Sequence, residues 1–413
     1  MKRSVLAEHL RGGDHVVVGQ ATAEPAGLVG EMFGLAAGLK QLNVFCGFSL
    51  NPAWGTAPLD AALSVTTYCG LGAVRQIVAR GAARVIPAQL SQLSSYFDCG
   101  VLKADVVLLQ VSPADADGYH SLGCAVDYVW NAVQAARVVL VEINPNVPRS
   151  RSTCRLHASR VVVARESDTP LAELAAEAPD EVQLRVGRNV ARLVPDGAVI
   201  QLGIGGMAAA VARALAQHRG LRVRSGMVGD WLPELLAAGA IDSADPAACM
   251  ASLAVGTGKL YDCAGAHGVL GFAHPAQLIA PGSGAAGAPL MAINSALEVD
   301  LRGQANAELA GTRYAGAVGG QSDYFRAARR SAGGLAILAL PATYGAGTKS
   351  RVVARLADAY VTAAQSDVDV IVTEHGVADI RASTLAERRR LIAALAEPQF
   401  RAALNHEEKH ALA

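Results

Sequence analysis

Charge of either sign is scarce in this sequence. Asp, Glu, Lys and Arg together make up 17% of the residues, and the 36 basic side chains equal the 36 acidic ones. Because no excess of one sign attracts a polyanion or an anionic lipid surface, the composition predicts neither a nucleic-acid partner nor a membrane partner.

Cysteine is also infrequent, and its spacing is uninformative. The seven cysteines are scattered, odd in number and without any C-x-x-C spacing, which favours reduced thiols. We therefore expect reduced thiols, a cytoplasmic protein and no metal. Residues 1–20 lack the apolar segment of a signal peptide, and no apolar run approaches the roughly 20 residues that cross a bilayer.

The sequence is instead rich in short apolar runs that alternate with Ala- and Leu-rich helical patterns. The runs are residues 15–20, 42–48, 104–112, 137–144, 198–204, 334–342 and 368–376. Strands that are apolar throughout are buried on both faces, as in parallel or mixed sheets covered by helices. The sequence therefore predicts the α/β class.

The length of 413 residues favours two domains over one core. An acidic segment with two prolines, residues 166–182, reads as a linker or a surface helix. Residues 13–32 and 195–215 each run Asp, apolar strand, small-residue turn and helix, a faint internal repeat. We predict two similar open α/β domains, at residues 1–182 and 183–413.

Several glycine-rich segments follow the predicted strands of the second half. They are LGIGGM at 202–207, AVGGQSDYFRAARRSAGG at 317–334 and PATYGAGTKSRVV at 341–353. Glycine allows close approach of the backbone to a ligand, and the N–H groups at a helix start bind anions. Together with nearby cations, these loops indicate a phosphate-bearing ligand.

Six segments, in this order, resemble the acetyl-CoA hydrolase/transferase family, which includes the 4-hydroxybutyrate, succinyl and itaconate CoA-transferases. The resemblance covers nearly the whole chain. Its segments are Glu24–Pro25, QVSPADADGYHSLG at 110–123, LGIGG at 202–206, NSALEVDLRGQANAE at 294–308, GGQSDYFRAA at 319–328 and VTEHGVADIR at 372–381.

The resemblance implies a class I CoA-transferase-like fold and CoA as a substrate, bound mainly by the C-terminal domain. In the family a glutamate attacks the acyl-CoA thioester, and a second carboxylate later takes the CoA. The glycine loop supplies N–H donors to the developing oxyanion. The implied partners are an acyl-CoA, a small carboxylic acid and further copies of this chain. The implied CoA-binding residues are Gly203, Gly205, Gly206, Met207, Gly319, Gly320, Gln321 and Lys349.

The family glutamate is missing at its expected place. It belongs to a pattern like H-T-E-M-x-S-D-G, and counting from Gly203 without gaps places it on Gly226 in RSGMVGDW. Met227 and Asp230 still match the pattern, whereas Ala208 replaces the usual proline of the glycine loop. The catalytic residue is therefore unknown from the sequence.

Three acids are candidates for its role. Asp230 lies four residues after Gly226, and its alternative role is N-cap of the following helix. Glu24 precedes Pro25, and since other members carry Glu there, a positioning role is favoured over that of a nucleophile. Glu298 lies in INSALEVDL, where structural hydrogen bonding is favoured.

Three functions remain open from the sequence. The first is acyl-CoA:carboxylate CoA transfer with a displaced nucleophile. The second is acyl-CoA thioester hydrolysis by a water molecule that a carboxylate holds. The third is CoA binding without catalysis.

Overall fold

The computed structural model describes residues 4–39, 41–57, 59, 62–265, 268–280 and 287–406. It divides into two compact units. Unit 1 contains Met1–Ala175, Asp245–Leu278 and Tyr314–Gly319, and unit 2 contains Ala176–Ala244, Ile279–Arg313 and Gly320–Ala413.

Helices and strands alternate along most of the chain. The helices are α1 Val5–His9, α2 Ala26–Ala36, α3 Val74–Ala79, α4 Leu90–Asp98, α5 Val129–Ala135, α6 Glu181–Ala191, α7 Gly206–Leu215, α8 Trp231–Ala237, α9 Gly258–Asp262, α10 Pro275–Leu278, α11 Gln321–Arg330, α12 Leu385–Ala393 and α13 Pro398–His406. Short 3₁₀ helices lie at Ala21–Ala23, Pro52–Thr56 and Ala158–Arg160. The strands are β1 His15–Val18, β2 Leu42–Cys46, β3 Leu63–Thr67, β4 Ala83–Val85, β5 Val106–Val111, β6 Tyr119–Ser121, β7 Val138–Ile143, β8 Arg151–Ser152, β9 Arg155–His157, β10 Val162–Glu166, β11 Val199–Gln201, β12 Arg222–Val228, β13 Cys249–Ala254, β14 Leu270–Phe272, β15 Leu290–Asn294, β16 Glu298–Asp300, β17 Ala305–Asn306, β18 Leu309–Ala310, β19 Arg313–Tyr314, β20 Leu335–Ala339, β21 Thr343–Tyr344, β22 Lys349–Ser350, β23 Val352–Val353, β24 Val370–Thr373 and β25 Gly376–Asp379.

Unit 1 is built on a parallel sheet with the strand order β10-β7-β5-β1-β2-β3-β4. Every pairing in it is parallel, with Val17 opposite Phe45 on one side and Val107 on the other. The first strand, β1, thus lies in the middle of the sheet. Strands β2, β3 and β4 follow on one side of it, and β5, β7 and β10 on the other. Strands β13, β14 and β8 of this unit also pair in parallel.

Unit 2 has the strand order β25-β24-β20-β15-β11-β12. Its pairings are parallel except that of β24 with β25. Here too the first strand, β11, has later strands on both sides. The predicted α/β class with parallel or mixed sheets is confirmed.

The apolar patterns explain these sheets. Because side chains alternate along a strand, Val16 and Val18 point to the same face, where they join a fully buried cluster with Val29 and Met32 of α2. Helix α6 begins where the acidic segment ends, at a capping box in which the side chains of Asp180 and Gln183 accept from each other's backbone N–H groups.

The compact units follow a different division from the domains predicted at residues 1–182 and 183–413. Residues 245–278 and 314–319 group with unit 1. In the first segment β13 pairs with β14 and β14 pairs with β8, and in the second Ala317 and Gly319 form bridges with Cys69 and Gln89. All seven cysteines are free. The cytoplasmic location that they suggested stays a prediction. In the described residues we find no helix of sufficient length and hydrophobicity to cross a bilayer.

Candidate functional site in unit 2

The glycine loop follows the central strand of unit 2 at a topological switch point. Strand β11 has β12 on one side and β15 on the other. In open α/β sheets, ligands bind outside the carboxyl ends of strands at such a point. A pocket of about 60 Å³ lies there, lined by Leu202, Gly203, Ile204, Met207, Ala208, Val211, Ile293, Asn294, Ser295 and Ala339.

The loop enters helix α7 at Gly205. This residue is the N-cap and has a φ of +91°, a conformation that an L side chain rarely adopts. The first N–H groups of a helix lack acceptors within it and carry the positive end of the helix dipole. The predicted residues Gly203, Gly205, Gly206 and Met207 therefore form one strand–loop–helix junction, of which Gly203 and Met207 line the pocket.

A reciprocal amide pair lies at the carboxyl ends of β11 and β15. Asn294 Nδ2 donates to Gln201 Oε1 over 2.7 Å, and Gln201 Nε2 lies 3.3 Å from Asn294 Oδ1. Gln201 is buried, so the pair satisfies polar groups that would otherwise be costly to bury. The bonds fix the side chain of Asn294, which lines the pocket.

Gly226 lies beside the loop on the β12 side. Strand β12 pairs with β11 through Ile200 and Val223, and Ser225 Oγ donates to the carbonyl oxygen of Leu202 over 2.6 Å. The next residue, Gly226, therefore lies level with the start of the loop. Gly226 is the position at which the sequence placed the family nucleophile. It lies adjacent to the glycine loop, the candidate for oxyanion binding, and it carries no side chain.

Asp230 occupies the N-cap position of α8, but its side chain makes no capping hydrogen bond. The predicted N-cap position is thus correct, whereas the capping bond is not formed. The next residue, Trp231, donates from Nε1 to the carbonyl oxygen of Gly203 over 2.8 Å. This bond holds the start of α8, and with it Asp230, against the glycine loop.

Glu24 belongs to unit 1, at the end of the 3₁₀ helix that follows β1. Its carboxylate is buried and receives hydrogen bonds from Ser49 Oγ, from Asn51 Nδ2 at 2.9 Å and from Trp54 Nε1 at 2.8 Å. Burial raises the pKa of Glu24 to about 7, and the three hydrogen bonds limit the rise. Such a carboxyl group is half neutral near pH 7, a poor state for a nucleophile.

A second buried acid lies in unit 1. Burial raises the pKa of Asp127 to about 6, and Gln20 Nε2 donates to its carboxylate over 2.6 Å. Gln20 Oε1 in turn accepts from the backbone of Phe48 and from the hydroxyl of Tyr68. Gln20, Phe48 and Tyr68 follow β1, β2 and β3, so this network joins the carboxyl ends of neighbouring strands.

Glu298 begins β16 in unit 2. Its Oε2 lies 3.3 Å from Nδ2 of the buried Asn306, which lies opposite it on β17. This is the structural hydrogen bond that the sequence favoured. In the described residues Glu298 is not among those that line the glycine-loop pocket.

The remaining predicted CoA-binding residues occupy other parts of the fold. Gly319 is in unit 1, has a φ of +56° and forms a bridge with Gln89. In unit 2, Gly320 is the N-cap of α11, and Gln321 is buried, with no hydrogen-bond partner for its Nε2 within the described part of the chain. Lys349 lies on the β21–β22 hairpin, with Nζ 5.7 Å from the ring centre of Tyr344. Their binding role stays a prediction.

Among the described residues, one cluster has side chains of the type that hold metals. The ligand atoms of Glu374, His375 and Glu397 all lie within 4.8 Å of one another. His375 Nε2 is only 2.9 Å from Glu397 Oε2, a hydrogen-bond distance that needs no metal. The absence of a metal stays a prediction.

Comparison with known proteins decides the family. Residues 1–166 match the acetyl-CoA hydrolase/transferase N-terminal domain, and residues 256–408 match its C-terminal domain. The chain is 36% identical to the 4-hydroxybutyrate coenzyme A transferase of Clostridium kluyveri over 343 residues, which cover 82% of this chain and 80% of that protein. The chain belongs to the acetyl-CoA hydrolase/transferase family.

Two solved structures share the fold of this chain. The 4-hydroxybutyrate CoA-transferase of Porphyromonas gingivalis is 31% identical and superposes with a TM-score of 0.83, over 98% of this chain and 95% of that one. RipA of Yersinia pestis is 26% identical, with a TM-score of 0.89 over 98% of this chain and 96% of its own. The α/β fold of a CoA-transferase, predicted from the resemblance, is confirmed.

Sequence reasoning missed the Gln201–Asn294 pair and the Trp231–Gly203 bond. Asn294 is the first residue of the segment NSALEVDLRGQANAE, which carries part of the resemblance to the family, and Trp231 directly follows Asp230. Their roles depend on strand order, because β15 is distant in sequence from β11. A single sequence without that order does not indicate which strand ends are neighbours.

Proposed function

We propose that this chain is an acyl-CoA:carboxylate CoA-transferase that moves coenzyme A between a small acyl-CoA and a carboxylic acid. The observation that carries the proposal is the glycine-loop pocket at the switch point of unit 2, in a chain of this family. Backbone N–H groups at the start of α7 are suited to stabilise a thioester oxygen as it becomes an oxyanion. The pocket is small, mainly apolar and suited to a short acyl group.

We propose Asp230 as the carboxylate that attacks. Its oxygen would bond to the thioester carbon, and the C–S bond would break to release CoA as a thiolate, leaving an acyl-aspartyl anhydride. The thiolate would then attack the aspartyl carbonyl and release the first acid as a carboxylate. A second carboxylate would attack the resulting aspartyl-CoA thioester, and the released thiolate would attack the new acyl carbon, which restores Asp230.

The position of Asp230 favours it over the two other acids. It directly precedes Trp231, whose indole is bonded to the glycine loop. Glu24 is held by three donors and is half neutral near pH 7, which suits a positioning role. Glu298 contacts Asn306.

Hydrolysis is the second candidate, and Gly226 is the observation that favours it. Without a side chain at this position, a water molecule can approach the thioester from the β12 side while a nearby carboxylate takes its proton. No covalent intermediate would form, and CoA would be released rather than transferred.

We further propose that Gly205, Gly206, Gly319, Gly320, Gln321 and Lys349 contribute to CoA binding with Gly203 and Met207. The unpaired Nε2 of Gln321 supports such a role, because a buried donor without an acceptor is costly. A homo-oligomer is the proposed assembly, and the cytoplasm the proposed location.

Mass spectrometry of the protein after incubation with acyl-CoA tests the nucleophile. We expect an acyl or CoA adduct that maps to Asp230 and is absent from Asp230→Asn, with Glu24→Gln as the matched control that retains it. An adduct on another residue would overturn the assignment to Asp230. Turnover by hydrolysis with no adduct would support the second candidate, and CoA binding without turnover would refute both.

A further inference from the structure

A cavity of about 340 Å³ lies against the parallel sheet of unit 1. It is lined by residues of β1, β2, β3 and β4 and by residues 101–103, which follow α4. We call it the sheet-face cavity. Its walls include His15, Phe45, Thr66, Arg84, Val101 and Lys103.

The register of the four strands brings these side chains together. His15 lies opposite Asn43 on β2, Phe45 lies opposite Thr66 on β3, and Thr66 lies opposite Arg84 on β4. Every second side chain of a strand points to the same face, so Asn43 and Phe45 face alike. One face of the sheet therefore carries a group of polar side chains around the Phe45 ring.

The cavity has an excess of positive charge. Its lining includes the basic side chains of His15, Arg84 and Lys103, and none of the described lining residues is an Asp or a Glu. His15 Nδ1 lies 3.0 Å from Asp105 Oδ2, outside the lining. Arg84 Nη2 donates to Thr66 Oγ1 over 3.1 Å, and within the described ranges neither Arg84 nor Lys103 pairs with a carboxylate. In a chain with equal numbers of acidic and basic residues, such a local excess attracts an anion.

An apolar surface adjoins these cations. The side chain of Val101 is 68% exposed, the largest exposed fraction among the large apolar side chains of the described residues. The backbone N–H of Leu102 donates to the carbonyl oxygen of Tyr96 over 2.9 Å, which holds this segment against α4. The ring of Phe45 packs edge-on against Phe97, with ring centres 5.5 Å apart. A ligand with an apolar body would remove the exposed side chain of Val101 from water, which is favourable.

We propose that the sheet-face cavity binds a small organic anion. Arg84 and Lys103 hold its head group, and its apolar body lies against Phe45 and Val101. The volume is at the lower end of the range for small-molecule sites. Guanidinium and ammonium groups bind carboxylate and phosphate oxygens by charge-assisted hydrogen bonds, so either head group satisfies this chemistry.

This site is separate from the candidate site for acyl-CoA chemistry. The glycine-loop pocket is built from other residues, all of them in unit 2. The buried acids Glu24 and Asp127 of unit 1 are not among the lining residues of the sheet-face cavity. Binding of an anion there goes beyond the proposed CoA transfer and does not depend on it.

Titration calorimetry of the full-length protein with benzoate and with phenyl phosphate tests for this site and identifies the preferred head group. We expect affinity to fall about tenfold in Arg84→Gln and in Lys103→Gln, since each loses a charge-assisted hydrogen bond. Arg80→Gln, at an exposed residue of unit 1 that does not line the cavity, is the matched control and should bind as the parent does. Val101→Glu should abolish binding, because its carboxylate repels the head group and competes for the cations.

Lysine acetylation followed by mass spectrometry locates the bound anion. Either ligand should slow the reaction of acetic anhydride with Lys103, whereas the exposed Lys259 on α9 should react at an unchanged rate. No binding of either ligand at millimolar concentration, equal binding by the parent and the folded variants, or an unprotected Lys103 would overturn the proposal. A lower molar mass of Val101→Glu in solution, with no anion bound by the parent, would also overturn it and assign this face to contact between copies of the chain. None of these results depends on turnover of acyl-CoA.

Discussion

The indole of Trp231 donates a 2.8 Å hydrogen bond to the carbonyl oxygen of Gly203. This bond joins the start of α8 to the loop that follows β11, and Gly203 also lines the pocket at the switch point of unit 2. The loop that is proposed to hold the thioester and the helix that carries Asp230 are therefore mechanically connected.

Trp231→Phe should loosen this connection. The variant keeps an aromatic ring in a largely buried place but loses the N–H donor, so the free energy of unfolding should fall by about 1 kcal/mol. The KM for acyl-CoA should rise because the loop is less well held. Thermal unfolding and steady-state kinetics measure both effects. Trp130→Phe on α5 of unit 1 is the control, and an equal rise of KM there would refute the role of the bond.

Gly203→Ala should weaken acyl-CoA binding without unfolding the chain. An added Cβ has no heavy atom within 4 Å, so it is accommodated, but it projects from a residue that lines the pocket. We expect about a tenfold loss of affinity by calorimetry. The control is Gly34→Ala on α2, where a Cβ also has open space. A substitution at Gly206 would be a poorer test, because a Cβ there would lie 3.0 Å from the Gln183 amide. Unchanged affinity in Gly203→Ala would make the loop purely structural.

Glu24→Gln should remove part of the pH dependence of stability. Since burial raises the pKa of Glu24 from 4.5 to about 7, the folded state holds this proton more tightly than the unfolded state does. The parent therefore loses stability as the pH rises from about 4.5 to 7, by up to about 3 kcal/mol. Glutamine retains the acceptor for Asn51 and Trp54, and its NH₂ group can donate to Ser49. The variant should lack this loss.

Denaturant unfolding between pH 4.5 and 8 measures the difference between parent and Glu24→Gln. Asp127, with a pKa raised to about 6, contributes to the slope of both proteins at the lower end of this range and cancels in the comparison. Parallel curves for the two proteins would show that folding does not raise the pKa of Glu24. If Glu24 has a positioning role, transfer activity in the variant should stay within about tenfold of the parent.

Gly226→Glu should create or raise CoA transfer. The Ser225–Leu202 bond places residue 226 level with the glycine loop, so a carboxylate there lies near the proposed oxyanion donors. A carboxylate held about 3–3.5 Å from the thioester carbon gains a large effective molarity. Acyl exchange with labelled acetate measures the gain, and Gly226→Gln, of similar size but without a nucleophilic charge, is the control. Equal rates in the two variants would exclude a nucleophilic role for the introduced glutamate.

Much of the fold was predictable from sequence, because buried parallel strands are apolar throughout. Runs such as residues 104–112 and 137–144 became β5 and β7, and glycine spacing located the loop before α7. The cavity between the turn after β16, residues 350–357, α12 and α13 was not predictable, since only tertiary packing brings these segments together. The grouping of residues 245–278 with unit 1 was also hidden, because pairing of β14 with β8 connects segments more than a hundred residues apart.

The central claim is that this chain transfers CoA between an acyl-CoA and a carboxylate. Incubating the unmodified protein with an unlabelled short-chain acyl-CoA and isotope-labelled acetate, then measuring label in the acyl-CoA pool, tests it most directly. The account predicts labelled acetyl-CoA in amounts that exceed any free CoA released, and loss of the label with Asp230→Asn. Release of free CoA without labelled acetyl-CoA would contradict transfer and identify the chain as a hydrolase, and the absence of both products would contradict acyl-CoA catalysis altogether.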